Sequence, residues 1–258
     1  QVISPKNAFI VAAKARGVFR SSNPQELERL YRGFHRQGLA AGVSLPDWVA
    51  DGRGRVKAVH VDGDTLKFTM DLGDGLETES VVIPMRHRDG TTTRTLCVSS
   101  QVGCAMGCRF CETAQMGLMR SLSAAEIAAQ LHAARFQVDD PWTGRTGFEI
   151  KNIVFMGMGE PMDNIDAVLG AIRVLTDRNA YAIAPVHVTV STVGRTDGIE
   201  RYGEFLLQPG FHRLNLAVSL NAPNDRIRFE IMPINRAEPI ERLMAALLAF
   251  PKRPNAAI

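Results

Sequence analysis

The sequence predicts an α/β protein: a partial (β/α) barrel, incomplete at its carboxyl end, preceded by a helical segment and a small β-meander. Three observations carry the α/β part of that prediction. Strand-like and helix-like segments alternate from Thr93 onward. Residues 55–84 instead show a period of two, broken by Asp-Gly turns. About 165 residues remain after the meander, against the roughly 250 that a full (β/α)₈ barrel takes.

The elements follow in order. Residues 4–45 read as helical, with Asn23-Pro24 opening a segment whose apolar positions Leu27, Leu30, Tyr31 and Phe34 keep helical spacing. In the meander Val59, Val61, Leu66, Phe68 and Met70 alternate, Asp62-Gly63 and Asp74-Gly75 turn the chain, and Pro84 ends it. Thr95–Ser99 is the first strand of the βα series. Ser123-Ala-Ala-Glu126 is a capping box that opens a helix through about Phe136. Asn152–Met156 is a short buried strand, followed by a helix with Ile165, Val168, Leu169, Ile172 and Leu175 on one face. Val186–Ser191 and Leu214–Ser219 are further strands, and Pro239 opens a last helix with Leu243, Leu247 and Leu248. The expected organisation is a basic helical segment over 1–50, a meander linker over 51–92 and four βα units over 93–258. The chain ends on Ala256-Ala257-Ile258 with no closing feature, as expected of a fragment.

Composition narrows the class. With 45% hydrophobic and 22% charged residues the chain reads as globular, and no apolar run approaches the roughly 18 residues of a membrane span. No signal peptide opens it, so the expected address is cytoplasmic, as a monomer without a membrane. Residues 1–60 carry ten Lys or Arg against four Asp or Glu, and the remainder twenty against twenty-three. That asymmetry fits either an anionic partner for the amino-terminal part or an ordinary solvated basic face.

The four cysteines lie at 97, 104, 108 and 111 and nowhere else. A disulfide framework would spread them along the chain, whereas thiolates clustered this closely bind metal. Cys104-Ala-Met-Gly-Cys108-Arg-Phe-Cys111 is a C-x₃-C-x₂-C run directly after the first strand of the βα series. Three such thiolates can each hold one iron of a four-iron four-sulfur cluster. One iron then stays open for the amino acid moiety of S-adenosylmethionine, whose sulfonium bond the cluster breaks with one electron. Structural zinc, with Cys97 or a histidine as fourth ligand, is the competing reading. Zinc sites usually split their ligands into separated pairs, and no second pair exists here.

With Cys97-Val-Ser-Ser-Gln-Val-Gly-Cys104, Gly157-Met-Gly159-Glu160-Pro161 and Ser219-Leu-Asn221-Ala-Pro-Asn224, the chain resembles the RlmN/Cfr family. These are radical S-adenosylmethionine methyltransferases of adenine in ribosomal RNA and, for RlmN, also in transfer RNA. The resemblance runs from about Gly63 to Phe250, and residues 1–50 match only in character, as the small RNA-binding domain expected there. It implies a cluster on Cys104, Cys108 and Cys111. It places Gly159 and Glu160 against the methionine part of the cofactor, and Ser191, Ser219, Leu220 and Asn221 against the rest. Asn221 departs from the histidine of many relatives.

Two further roles come from the resemblance alone. Cys97 matches a thiol that resolves a covalent enzyme–RNA adduct by pairing with a second, methyl-carrying cysteine. Glu79 matches a glutamate that takes a proton from the adenine ring carbon. Read as residues, Cys97 is a small core side chain, Glu79 a solvent-facing strand residue, and Ser191 and Ser219 strand-end caps. The methyl-carrying cysteine of the family is not among the four here. The implied reaction is methylation at adenine carbon 2, with carbon 8 as the alternative and an electron donor such as flavodoxin or ferredoxin. A radical S-adenosylmethionine protein of other specificity and a non-catalytic, metal-stabilised RNA-binding module are the competing functions.

Overall fold

The computed structural model describes residues 24–38 and 55–251. Most of the expected 1–50 segment and the end of the chain therefore lie outside the described residues. Helix α1 (Pro24–Gln37) is followed by β1 (Arg55–Asp62), β2 (Thr65–Asp71), β3 (Glu77–Arg86) and β4 (Thr92–Cys97). Next come β5 (Gln101–Gly103), the one-turn α2 (Glu112–Gln115), β6 (Leu118–Ser121), α3 (Ala124–Phe136) and the two-residue strands β7 (Asp139–Asp140) and β8 (Arg145–Thr146). The series continues with β9 (Ile150–Phe155), α4 (Ile165–Thr176), β10 (Val188–Thr192), α5 (Thr196–Leu206), β11 (Asn215–Val218), α6 (Asp225–Ile231) and α7 (Ile240–Ala249).

One seven-stranded sheet has the order β1-β2-β3-β4-β9-β10-β11. Its first four strands pair antiparallel, and β4, β9, β10 and β11 pair parallel. The sheet runs straight across the boundary expected at residue 92, since β3 pairs with β4 from Val81↔Cys97 to Arg86↔Thr92. The meander thus forms the antiparallel flank of the same sheet.

The parallel strands follow one another in sequence order, so right-handed crossovers put every helix on the same face. Helices α3, α4, α5 and α7 accordingly pack as one layer, each against its neighbour. This progressive winding is that of a barrel and not of a doubly wound sheet. Leu66, Phe68, Val82, Leu96, Ile153, Val188 and Leu216 point into the main core beneath those helices. The other face carries half-buried Glu79, Val81, Asn152, Val154, Thr189 and Ser191.

The predicted capping box is present in full: the Ser123 hydroxyl accepts from the Glu126 N–H, and Glu126 reaches back to the Ser123 N–H. Such a cap is worth about 1 kcal/mol. Pro239 stands one place outside α7, as its cap residue. Helix α1 docks where α3 and α4 end. Arg32 donates to Asn179 at 3.0 Å, Arg36 donates to the Arg178 carbonyl, and Phe34 stacks on His132 with ring centroids 4.5 Å apart. This is the amino-terminal end of the parallel strands, opposite the end where barrel sites form. Part of the basic side of α1 is therefore spent on the barrel itself.

Candidate active site

The site is built where β4 and β9 end. Beyond β4 the chain passes Ser99 and Ser100, and beyond β9 it passes Gly157 to Glu160. The two segments are laced together. Ser100 and Gln101 N–H groups donate to the Met158 carbonyl, the Met158 N–H donates to Ser99 Oγ at 2.9 Å, and the Glu160 N–H donates to Gln101 Oε1 at 2.9 Å. Glycine is obligatory in this lacing. A Cβ on Gly157 would stand 2.7 Å from Ser99 Oγ, and one on Gly159, where φ is +96°, would stand 2.5 Å from Gln101 Cβ.

The cysteine loop grows from a pinched base. Strands β5 and β6 pair antiparallel, and the Cys104 N–H donates to the Gly117 carbonyl at 3.1 Å. A Cβ on Gly103 would stand 1.8 Å from that same carbonyl oxygen, so only glycine closes the loop. Within it the Cys111 N–H donates to the Cys108 carbonyl, and Cys111 then caps α2. The Arg109 N–H donates to the Ile231 carbonyl at 2.9 Å, and Met232 packs against Cys104, Met106 and Cys108.

Cys104, Cys108 and Cys111 all line one cavity of about 290 Å³. Its other walls come from Met156, Gly157, Gly159 and Glu160 after β9, Ser191 to Val193 at the end of β10, and Ser219 and Asn221 after β11. Five of the six residues expected to hold the cofactor therefore meet the three cysteines. Leu220 does not line the cavity; its carbonyl is turned to Arg228 Nε at 3.3 Å. Asn221 adopts φ +55°, a left-handed conformation that asparagine tolerates, and its Nδ2 reaches Met232 Sδ at 3.6 Å.

Glu160 is 2% exposed. One carboxylate oxygen accepts from the Met162 N–H and the other from the Val193 N–H, each at 2.9 Å, so the group ties the loop after β9 to the loop after β10. Burial raises its pKa, with those backbone N–H groups pulling the other way. Burial likewise pushes the Cys104 thiol up to about 11 and raises Cys108, while Cys111 and Glu160 add repulsion against their thiolates.

Cys97 and Glu79 lie outside the cavity. Cys97 is buried at the end of β4, paired across Val81 and Val154, and burial pushes its thiol up to about 11. Glu79 lies one step further along β3 on the same face as Val81, with its side chain 44% exposed and held by Lys67 at 3.1 Å. Its carbonyl accepts from Ser99 Oγ at 2.6 Å, so its backbone does buttress the site.

Sequence reasoning missed the polar residues that hold this framework. Gln101 carries the Glu160 N–H, Asn164 Nδ2 donates to the Ser100 and Leu122 carbonyls, and Gln130 pairs with Ser99. Only Gln130 gave a signal, as the one amide in the largely apolar run from Ile127 to Ala134. Buried Arg228 gave none, because Arg226 and Glu230 beside it make the segment read as a solvated face.

Three thiols and a glycine-lined loop at the carboxyl ends of parallel strands define an iron–sulfur site of the radical S-adenosylmethionine type. Residues 98–253 match the Radical SAM superfamily. The chain is 47% identical over 192 residues to the probable dual-specificity RNA methyltransferase RlmN 1 of Protochlamydia amoebophila, covering 74% of this chain and 49% of that protein. It is 42% identical over 239 residues to the dual-specificity RNA methyltransferase RlmN of Syntrophobacter fumaroxidans, covering 93% and 62%. The chain thus spans about half the length of the curated relatives it matches. The crystal structure of a radical SAM methyltransferase from Sphaerobacter thermophilus superposes with a TM-score of 0.77 at 32% identity, over 96% of this chain and 72% of that one. The chain belongs to the radical SAM superfamily and, within it, to the RlmN/Cfr family.

Its cofactors are accordingly a four-iron four-sulfur cluster and S-adenosylmethionine. The residues present fit them. Three soft thiolate donors converge on one cavity with polar strand ends across from them, which suits iron–sulfur ligation. Among the described residues no three His, Cys, Asp or Glu side chains close on a single metal ion. A cubane asks for no such closure, because each thiolate binds a different iron. No helix of the described residues is long and apolar enough to cross a membrane.

Proposed function

We propose that the protein is a radical S-adenosylmethionine methyltransferase of RNA, acting on carbon 2 of an adenine in ribosomal RNA and in transfer RNA. The observation that carries this reading is the meeting of Cys104, Cys108 and Cys111 with the loops after β9, β10 and β11 around one cavity. The names of the relatives, RNA methyltransferases of dual specificity, support RNA as the substrate.

In this reading Cys104, Cys108 and Cys111 hold three irons and leave the fourth without a protein ligand. When bound there, the cluster and S-adenosylmethionine supply one-electron cleavage of a sulfonium bond. Gly157 and Gly159 bring backbone close to the methionine moiety. Glu160 has lone-pair capacity beyond that given to Met162, Val193 and the Thr192 hydroxyl, and this would accept from the ammonium group. Ser191, Ser219 and Asn221 present hydrogen-bonding groups to the rest of the cofactor, and Leu220 contributes through its place between them.

Glu79, on the half-buried face of β3, is assigned to proton removal from the adenine ring carbon, and Cys97 to resolution of the protein–RNA adduct. The methyl-carrying thiol is assigned to none of the four cysteines, since three are committed to iron and Cys97 is buried in β4. The basic amino-terminal segment contributes phosphate contacts. A flavodoxin- or ferredoxin-type protein supplies the electron.

The test is to express the natural gene product in a host lacking its own enzyme and to digest the RNA for mass spectrometry. Appearance of 2-methyladenosine supports the reading, 8-methyladenosine moves the reaction to carbon 8, and neither product overturns it. For the 258-residue chain alone, anaerobic incubation with reductant and methyl-labelled cofactor gives 5′-deoxyadenosine without label in RNA. Labelled adenine would mean that Cys97 or another nucleophile carries the methyl group.

A further inference from the structure

Among the described residues Arg228 is the only lysine or arginine that is fully buried. From α6 its guanidinium donates through Nε to the Leu220 carbonyl and through Nη1 to Asn235 Oδ1 at 2.7 Å and the Glu238 carbonyl at 3.0 Å. Through Nη2 it donates to the Val193 carbonyl. Gly194, at φ +109°, makes room, since a Cβ there would stand 3.3 Å from Nη2. All four acceptors are neutral. A buried cation with only neutral partners is costly unless negative charge lies close by.

The neighbouring carboxylates are engaged elsewhere. Asp225 is exposed and accepts from the Asn235 side chain and the Ile240 N–H. Glu238 accepts from Thr196 and lies 3.6 Å from Arg195 and 3.3 Å from Arg242. Both carboxylates attract the guanidinium, Asp225 foremost, but neither accepts a hydrogen bond from it. The Cys108 thiolate attracts it as well, and that attraction is mutual.

Position reinforces charge. Val193, whose carbonyl Arg228 holds, lines the cavity, and Leu220 sits between Ser219 and Asn221, which line it too. Helix α6 is fastened to the cysteine loop through Arg109 and Ile231, and the next residue, Met232, packs on Cys104 and Cys108.

We propose that Arg228 is a positioning residue that compensates the charge of the iron–sulfur cluster, its buried guanidinium offsetting the three thiolates and favouring the reduced state. The inference rests on the assignment of the cluster to Cys104, Cys108 and Cys111. Three thiolates leave the cluster net anionic, and one electron from an external low-potential reductant makes it more so. A fixed cation in a poorly screened interior stabilises the more negative state.

The experiment compares wild type, R228K and R228Q after anaerobic reconstitution. Iron and sulfide per chain are measured first, and their absence in the wild type would count against the cluster assignment rather than against Arg228. A potentiometric titration with dithionite, read by electron paramagnetic resonance, follows. At the potential where half the wild-type cluster is reduced, R228Q is expected to show a tenfold lower ratio of reduced to oxidised cluster, about 59 mV for one electron. R228K, which keeps the charge, is expected to stay within about threefold of wild type. An unchanged ratio in iron-loaded R228Q overturns the proposal, as does a loss in R228K equal to that in R228Q. If R228Q holds no iron, R228K decides alone: a ratio within threefold supports compensation by charge, and a tenfold loss overturns it.

Discussion

Gln130 and Ser99 form a two-point amide pair at the junction between the sheet and the cysteine loop. Gln130 Oε1 accepts from the Ser99 N–H at 2.8 Å, and Nε2 donates to the Ser99 carbonyl at 2.8 Å. The same Oε1 accepts from Ser80 Oγ at 2.7 Å. A helix side chain thus continues the hydrogen-bond ladder two residues past the end of β4, and fixes where the loop departs. Replacing Gln130 with Leu leaves a buried N–H and a buried carbonyl without partners, at about 1–3 kcal/mol each. The expected outcome is a lower urea midpoint at unchanged m-value, together with poorer iron retention. Unaltered stability would mean that Ser99 finds other partners.

Gly159→Ala tests the lacing of the two loops. The added Cβ meets Gln101 at 2.5 Å in a backbone conformation that alanine resists. We expect a loss of about 1–3 kcal/mol and at least tenfold weaker S-adenosylmethionine binding by equilibrium dialysis of iron-loaded protein. Gly33→Ala is the control: nothing lies within 4 Å of the added atom in α1, so stability should hold or rise by up to about 1 kcal/mol. Equal behaviour of the two variants would contradict the account.

Glu160→Gln is not a neutral change. The carboxylate serves two backbone N–H groups, and an amide offers one acceptor and one donor, so either Met162 or Val193 is left facing an N–H. The pH dependence has a definite sign. Burial raises the folded-state pKa of Glu160, so the native chain holds a proton that the unfolded chain has released. Stability from this group therefore falls as pH rises from the unfolded value through the folded one. In urea titrations the wild type should lose stability as pH rises above the ordinary carboxylate range, and E160Q, which cannot titrate at this position, should lack that loss. Equal pH dependence of the two proteins would contradict the assignment.

Cys97 should react slowly. Burial pushes its thiol up to about 11, against about 8.5 for a free cysteine, and only the thiolate is nucleophilic. Peptide mapping after iodoacetamide treatment should show Cys97 labelling rising about tenfold per pH unit from pH 7 to 10, with no plateau in that range. A plateau near pH 8 would show an exposed, activated thiol already prepared for adduct resolution.

These residues also mark how far the sequence could be read. The capping box at Ser123 and Glu126, the apolar stripe from Ile165 to Leu175 and the cysteine spacing are local patterns, and the fold keeps all three. Helix α5 was not legible, because Gly198 and Gly203 weaken its propensity. Both glycines are there for packing: a Cβ on Gly198 would stand 2.3 Å from Met162 Cβ, and one on Gly203 would stand 3.0 Å from Pro251 Cδ. The continuity of β3 with β4 was hidden for a related reason. Strand pairing across a turn is decided by partners, and the alternation of Val59 and Val61 belongs to an edge strand whose valines stay exposed. The roles of Gln101, Gln130 and Arg228 depend on carbonyls and amides far along the chain, which no local pattern encodes.

The central claim is that Cys104, Cys108 and Cys111, and not Cys97, hold the cluster. Its most direct measurement is iron and sulfide per chain after anaerobic reconstitution of four single Cys→Ala variants, with the reduced-state electron paramagnetic resonance spectrum alongside. The account predicts full loading and an unchanged spectrum for C97A, and loss of both in C104A, C108A and C111A. Loss of the cluster in C97A, or its retention in any of the other three, would contradict it.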